Sequence, residues 1–94
     1  MSSREIKILL VDDEAEILYA LKAVIETQGW TGLIAQNVKQ ALEIYKTDSP
    51  DIILIDYHMP HINGVEGVKM FRRQDPDIPI IVFTIDEDQG VADK

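Results

Sequence analysis

The chain has 94 residues, of which 46% are hydrophobic and 28% charged, a length and composition typical of one small soluble domain. There is no cysteine, no apolar run near the roughly 20 residues of a membrane span and no signal-peptide pattern, so we expect a cytoplasmic domain without membrane contact. A net charge of -8 argues against direct binding to nucleic acid.

The first half of the chain alternates strand and helix patterns. Residues 7–11 (KILLV) form a short aliphatic run that predicts a buried strand. Residues 14–28 carry a helical apolar stripe, and Gly29 stands where that helix is expected to end. Residues 31–35 (TGLIA) predict a second strand.

The second half continues the alternation. Asn37 is a plausible N-cap for the next helix, and Pro50 prevents that helix from continuing. The apolar residues from Ile52 to Ile55 are expected to be buried in a third strand. The predicted elements are a helix at 38–46, a strand at 52–56, a turn at Asn63-Gly64, a helix at 65–73, a strand at 80–84 and the start of a last helix at 86–94.

This order predicts an α/β fold. Apolar strands that alternate with amphipathic helices indicate a three-layer, doubly wound parallel sheet covered on both faces. In such sheets the ligand crevice lies at the carboxyl ends of the strands. No linker or repeat divides the sequence, so residues 1–94 are interpreted as a single domain.

Polar side chains follow three of the predicted strands. Asp12 and Asp13 come after the first, Asp56 ends the third and Thr84 ends the fourth. Because the carboxyl ends of parallel strands share one edge, these residues are expected to meet there, where three carboxylates repel each other unless a cation joins them. Oxygen ligands without cysteine suit Mg²⁺. The alternative is that Asp12 and Asp13 only cap the first helix.

A carboxylate beside Mg²⁺ can accept a phosphoryl group, and a hydroxyl such as that of Thr84 can bind phosphoryl oxygens. Three features carry a resemblance to a family with this chemistry: VDDE at 11–14, DIILIDYHMP at 51–60 followed by Gly64, and a strand that ends in Thr84. Between about residues 7 and 86 the chain resembles the receiver domain of two-component response regulators.

The resemblance implies a flavodoxin-like fold with strand order 2-1-3-4 and a role for each site residue. Asp56 would be the phosphoacceptor, and Thr84 the switch hydroxyl. Asp12, Asp13, Asp56 and the backbone carbonyl of His58 would hold Mg²⁺. The phosphoryl group would come from a histidine kinase or a phosphotransfer protein, and the output would pass to an unidentified downstream protein. Such a domain catalyses at most its own phosphorylation and dephosphorylation, and is not a conventional enzyme.

Three features depart from the family pattern. Ile85 is bulky where the family usually has a small residue, and His58 lies two residues after the acceptor. The chain also stops at Lys94, before the family's fifth strand with its lysine and before the fifth helix. We therefore expect a truncated receiver domain that forms a two-fold homodimer, which covers either its exposed fourth strand or the sheet face left bare beside the first helix.

Two other functions compete with this interpretation. The first is an interaction or assembly module of receiver ancestry, in which phosphorylation no longer switches the fold well. The second is an aspartyl-phosphate hydrolase of the haloacid dehalogenase type. That family has a second aspartate two residues after its nucleophile, where this chain has His58, which disfavours the hydrolase.

Overall fold

The computed structural model of the protein describes residues 5–84. Within this range every predicted strand and helix is present, with bounds that differ from the prediction by at most two residues. The predicted helix at 86–94 lies outside the described residues. The elements are β1 (Lys7–Val11), α1 (Ala15–Thr27), β2 (Thr31–Ala35), α2 (Val38–Asp48), β3 (Ile52–Asp56), α3 (Gly64–Gln74) and β4 (Ile80–Phe83).

The four strands form one parallel sheet in the order β2-β1-β3-β4, which confirms the predicted topology. Leu10 lies opposite Ile34 on one side and Leu54 on the other, so β1 is central and has a partner on both sides. Each crossover between parallel strands passes through one helix, and this brings the carboxyl ends of all four strands to one edge. Across residues 5–84, no helix is long and apolar enough to cross a membrane.

The two faces of the sheet are covered unequally. Helices α2 and α3 cover one face, and their side chains Val38 and Phe71 join a cluster that contains the fully buried Ile53 and Ile55. Helix α1 covers the other face through Leu18. The predicted burial of residues 52–55 is confirmed for Ile53 and Ile55 and is wrong for Ile52 and Leu54, which face α1 and are only half-buried. Helix α1 packs mainly over β1 and β2, on the other side of β1 from β4, and so leaves this face of β3 less covered.

Polar caps define the helix ends. The Asn37 side chain accepts a hydrogen bond of 2.8 Å from the backbone N–H of Gln40, which confirms the predicted N-cap. Asn63-Gly64 was predicted as a turn, and this is wrong. Asn63 instead caps α3, with its side chain accepting from the N–H of Glu66 at 3.0 Å, and Gly64 is the first helical residue. Asparagine favours both turns and N-caps because its short side chain bonds nearby backbone amides, so the sequence pattern fits either structure.

Asp75 fixes the connection between α3 and β4. One carboxylate oxygen accepts the N–H groups of Asp77 and Ile78, and the other accepts the hydroxyl of Tyr45 on α2 at 2.9 Å. The Asp77 N–H and the Tyr45 hydroxyl lower the pKa of Asp75. These bonds tie the start of β4 to α2, and so fix where the carboxyl end of β4 meets the edge of the sheet.

Candidate metal and phosphoacceptor site

Backbone hydrogen bonds hold two aspartates at the carboxyl edge of the sheet. Asp12 follows β1, and its N–H donates to the carbonyl of Ala35 at 3.1 Å, which extends the β1–β2 ladder by one residue. Asp56 is the last residue of β3 and lies opposite Phe83. The N–H of Tyr57 donates to the Phe83 carbonyl at 2.7 Å, so the chain stays paired just past Asp56. Both aspartates are therefore attached to backbone that inter-strand hydrogen bonds hold in position.

Three carboxylates converge at this edge. One oxygen from each of Asp12, Asp13 and Asp56 lies within 4.8 Å of the others, a separation that a single cation can bridge. Their exposures differ: Asp12 is 0% exposed, Asp56 is 6% exposed and Asp13 lies at the surface. The structure thus brings together the three acids that the strand ends predicted, from positions more than forty residues apart.

The buried carboxylate of Asp12 is only partly satisfied. Its Oδ1 accepts the N–H of Glu14 at 2.9 Å, whereas its Oδ2 is buried and has no hydrogen-bond partner among residues 5–84. Burial raises the pKa of Asp12 to about 6, and repulsion from Asp56 and Asp13 adds to this, against the opposing effect of the Glu14 N–H. A cation at this position would relieve both the repulsion and the missing interaction. The residues present therefore fit a divalent metal.

The capping alternative holds only for Oδ1 of Asp12. Glu14 is the N-cap residue of α1, and its own side chain makes no capping hydrogen bond. Asp12 bonds the N–H of Glu14 and so supports the start of the helix. This contact leaves Oδ2 of Asp12 unexplained, and it involves neither Asp13 nor Asp56.

The loop after Asp56 packs tightly against it. The N–H of His58 donates to Oδ1 of Asp56 at 3.1 Å, which restricts the carboxylate rotamer. Gly64 returns to the same place, where its N–H donates to the Tyr57 carbonyl at 3.0 Å. A Cβ atom on Gly64 would lie 2.7 Å from the Asp56 carbonyl oxygen and 2.8 Å from Cα of Tyr57. Glycine is required at position 64 for a steric reason, because backbone atoms fill the space that a side chain would need.

His58 and Thr84 lie at the surface next to this cluster. The imidazole of His58 is exposed and sits edge-on to the ring of Tyr57, with centroids 4.8 Å apart at 83°. Thr84 was predicted to end the fourth strand, but β4 ends at Phe83 and Thr84 follows it as an exposed residue. It stands one position past the register partner of Asp56, on the expected edge. The metal role of the His58 carbonyl and the switch role of the Thr84 hydroxyl stay predictions.

A groove of about 390 Å³ opens beside Asp13, and the sequence analysis did not predict it. Its lining comes from the β2–α2 connection and from the loop after β3, with Lys39, Met59 and His61 among its residues. Only folding brings these two loops together, and no pattern in the sequence indicates that they meet. The groove gives Asp13 a solvent-facing side, whereas Asp12 is closed off behind it.

Comparison with known proteins identifies the fold class and the family of this chain. A four-stranded parallel sheet with an acidic edge belongs to the flavodoxin-like class of α/β folds. Residues 8–94 match the profile of the response regulator receiver domain, and the chain therefore belongs to that family. This membership supports a phosphoaccepting receiver role in two-component signalling and does not favour the assembly-module alternative.

Individual proteins that are similar to this chain are also response regulators. The transcriptional regulatory protein CpxR of Escherichia coli K12 is 40% identical over 78 residues, which are 83% of this chain and 33% of CpxR. The response regulator TrrA of Thermotoga maritima, solved in complex with Mg²⁺-BeF, is 32% identical with a TM-score of 0.80, over 87% of this chain and 71% of that one. A structure of the histidine kinase ThkA in complex with TrrA matches with 33% identity and a TM-score of 0.78, over 84% of this chain and 68% of that one. The chain spans about a third of the length of the curated relatives it matches.

Proposed function

We propose that Asp56 accepts a phosphoryl group from a phosphohistidine, with Mg²⁺ held by Asp12, Asp13 and Asp56. The observation that carries this proposal is the buried, unpartnered Oδ2 of Asp12 within a cluster of three carboxylates. Such an arrangement destabilises a protein that binds no cation, so its presence argues for a cation-dependent reaction at this edge.

The chain's own residues supply the nucleophile and its orientation. A carboxylate oxygen of Asp56 forms the new bond to phosphorus while the bond from phosphorus to the donor imidazole nitrogen breaks. The electron pair stays on that nitrogen. The His58 N–H and the close packing of Gly64 hold the carboxylate in place for this attack. When bound, Mg²⁺ neutralises charge on the phosphoryl oxygens.

Two further groups belong to the proposal, one that binds the metal and one that binds the phosphoryl group. The backbone carbonyl of His58 completes the protein's share of the metal ligands. The hydroxyl of Thr84 donates to a phosphoryl oxygen after transfer, since it stands at the end of the strand beside Asp56. The solvent-accessible side of the site is the groove beside Asp13, which leaves room for the phosphoryl donor to approach.

The phosphoryl donor we propose is a histidine kinase or a phosphotransfer protein. The structure of TrrA in complex with the kinase ThkA supports this partner, because it shares the fold with this chain and is 33% identical to it over the aligned residues. The downstream protein and a cytoplasmic location stay predictions. A two-fold homodimer over β4 or over the bare sheet face also stays a prediction, and the exposed Ile81 and Val82 support the route over β4.

The proposal is tested by incubating the protein with acetyl phosphate, with and without Mg²⁺, and weighing the intact chain by mass spectrometry. We expect a mass increase of one phosphoryl group with Mg²⁺ and none after chelation. Failure to gain mass under any metal condition would contradict the proposed function.

The raised pKa of Asp12 predicts how pH affects the metal-free protein. The folded state, with a pKa of about 6, binds this proton more tightly than the unfolded chain, whose value is 3.8. The resulting stabilisation is complete below the unfolded value and is lost as pH rises through about 6. An Asp12→Asn variant keeps the Oδ1 acceptor and removes the charge. At pH 7 without metal it should therefore be more stable than wild type by on the order of 1–2 kcal/mol.

Urea unfolding at about pH 7 and about pH 4.5, with and without Mg²⁺, checks this. The advantage of Asp12→Asn should shrink at the lower pH and reverse in Mg²⁺, which stabilises only a protein that binds it well. Asp13→Asn is the matched control: the same charge is lost at an exposed position, so its metal-free gain should be smaller. Equal gains for the two variants would show that burial of Asp12 is not the cause.

A further inference from the structure

The outer edge of β2 has a backbone arrangement that invites another strand. Among the described residues β2 pairs on one side with β1, and the other side faces outward. The Thr31 N–H donates to the Ile6 carbonyl, and the Ala35 carbonyl accepts from Asp12. In a parallel strand, alternate residues bond the same neighbour, so Thr31, Leu33 and Ala35 bond β1. The N–H and C=O groups of Gly32 and Ile34 therefore point to the open side of β2. An open edge of this kind is a template for pairing with a second chain.

The strand itself carries no protection against such pairing. Its sequence, TGLIA, has no charge and no proline, the two features by which edge strands usually resist addition. Protection, where it exists, must therefore come from outside the strand.

Side chains from the two flanking helices occupy the two ends of this edge. From α1, the Nζ of Lys22 donates to the carbonyl of Gly32 at 3.2 Å. From α2, the Oε1 of Gln40 accepts the N–H of Gln36, just past the strand, at 2.6 Å. Gln36 and Gly32 are an even number of residues apart, so the Gln36 N–H and the Gly32 carbonyl both face the open side of the strand. The two helices thus take up hydrogen-bonding groups that an added strand would need.

The contact with Lys22 is packed as well as hydrogen-bonded. Gly32 is buried, and a Cβ atom there would lie 3.0 Å from Cγ of Lys22, so the lysine stem lies directly across the strand. Lys22 also pairs with Glu26 one turn later on α1, which restrains the conformation of its side chain.

We propose that Lys22 and Gln40 form an autoinhibitory contact that closes the β2 edge against pairing with the β2 edge of a second copy of this chain. A second copy is the partner that fits, because the same uncharged strand would meet itself across a two-fold axis, where outward groups of Gly32 and Ile34 can pair in both directions. This inference is independent of phosphoryl transfer.

The test is the double variant Lys22→Met, Gln40→Met, which removes both hydrogen bonds while it keeps the side-chain lengths. By sedimentation equilibrium we expect its dissociation constant for self-association to fall at least about tenfold relative to wild type. Amide exchange at Ile34 should slow in the associated protein. The control is Lys69→Met, Gln74→Met: both lie on α3, and Lys69, like Lys22, forms an ion pair with a glutamate of its own helix, Glu66. It should associate as wild type does.

A second variant reaches the same contact differently. Gly32→Ala places a Cβ 3.0 Å from Cγ of Lys22, so the lysine stem must shift by a few tenths of an ångström while both polar side chains remain. This should weaken the hydrogen bond from Lys22 to Gly32 and strengthen association in the same direction, and it decides the test if the double variant does not fold. Equal dissociation constants in variant, control and wild type would overturn the proposal. Stronger association that leaves Ile34 exchange unchanged would overturn it too, because the chains would then meet elsewhere, for example at β4.

Discussion

An Asp56→Asn variant is expected to gain no phosphoryl group from acetyl phosphate under conditions in which the wild type gains one. An amide is a far weaker nucleophile than a carboxylate, and we place the attacking oxygen on this side chain alone. The backbone should tolerate the change, since asparagine keeps the Oδ1 acceptor for the His58 N–H. Intact-mass spectrometry measures the gain, and circular dichroism checks that the variant is folded.

The matched control for this loss is Asp77→Asn, which removes the same charge from an exposed carboxylate on the α3–β4 connection. It should be phosphorylated as wild type is. Equal labelling of Asp56→Asn and wild type would remove Asp56 as the acceptor. Loss of labelling in Asp77→Asn as well would point to a general effect of charge rather than to a defined nucleophile.

A Gly64→Ala variant is expected to lose about 3 kcal/mol of unfolding free energy, the upper end of the range for added atoms in packed sites. The new Cβ would lie 2.7 Å from the Asp56 carbonyl oxygen and 2.8 Å from Cα of Tyr57. Both are backbone atoms fixed by the sheet, so the clash cannot be relieved by a rotamer change. Because one of these atoms belongs to the proposed acceptor Asp56 and the other to the residue after it, Mg²⁺ affinity should fall as well.

Gly67→Ala on the same helix is the control. Its Cβ would meet the side-chain atoms Cδ1 of Ile55 at 2.6 Å and Cγ2 of Val38 at 3.0 Å. Side chains can shift, so we expect a smaller loss, about 1 kcal/mol, with little change in Mg²⁺ affinity. Urea denaturation gives the stabilities, and fluorescence titration gives the affinities. A loss for Gly64→Ala no larger than for Gly67→Ala would contradict the steric argument.

Most of the fold could be predicted from local patterns because these are short-range properties. The aliphatic runs of β1 and β3 and the stripe of α1 depend on residues within a few positions of each other. The error at Asn63 has a local cause too, since turns and N-caps use the same side-chain bond to nearby amides. The site could be predicted because a parallel sheet brings its strand ends to one edge, so acids at those ends meet whatever the details of packing.

By itself, the sequence determined that Asp12 and Asp13 would be close to Asp56, but it did not distinguish two adjacent aspartates. Only the tertiary structure decided that Asp12 is fully buried and Asp13 exposed. The bond from the Asp12 N–H to the Ala35 carbonyl keeps Asp12 within the ladder, where its side chain is enclosed by the sheet edge, while Asp13 falls outside it. The same holds for Lys22, whose contact with Gly32 depends on how α1 lies across β2. Burial and contact depend on residues far apart in the chain, whereas periodicity reports only on near neighbours, and this is why these features required the folded structure.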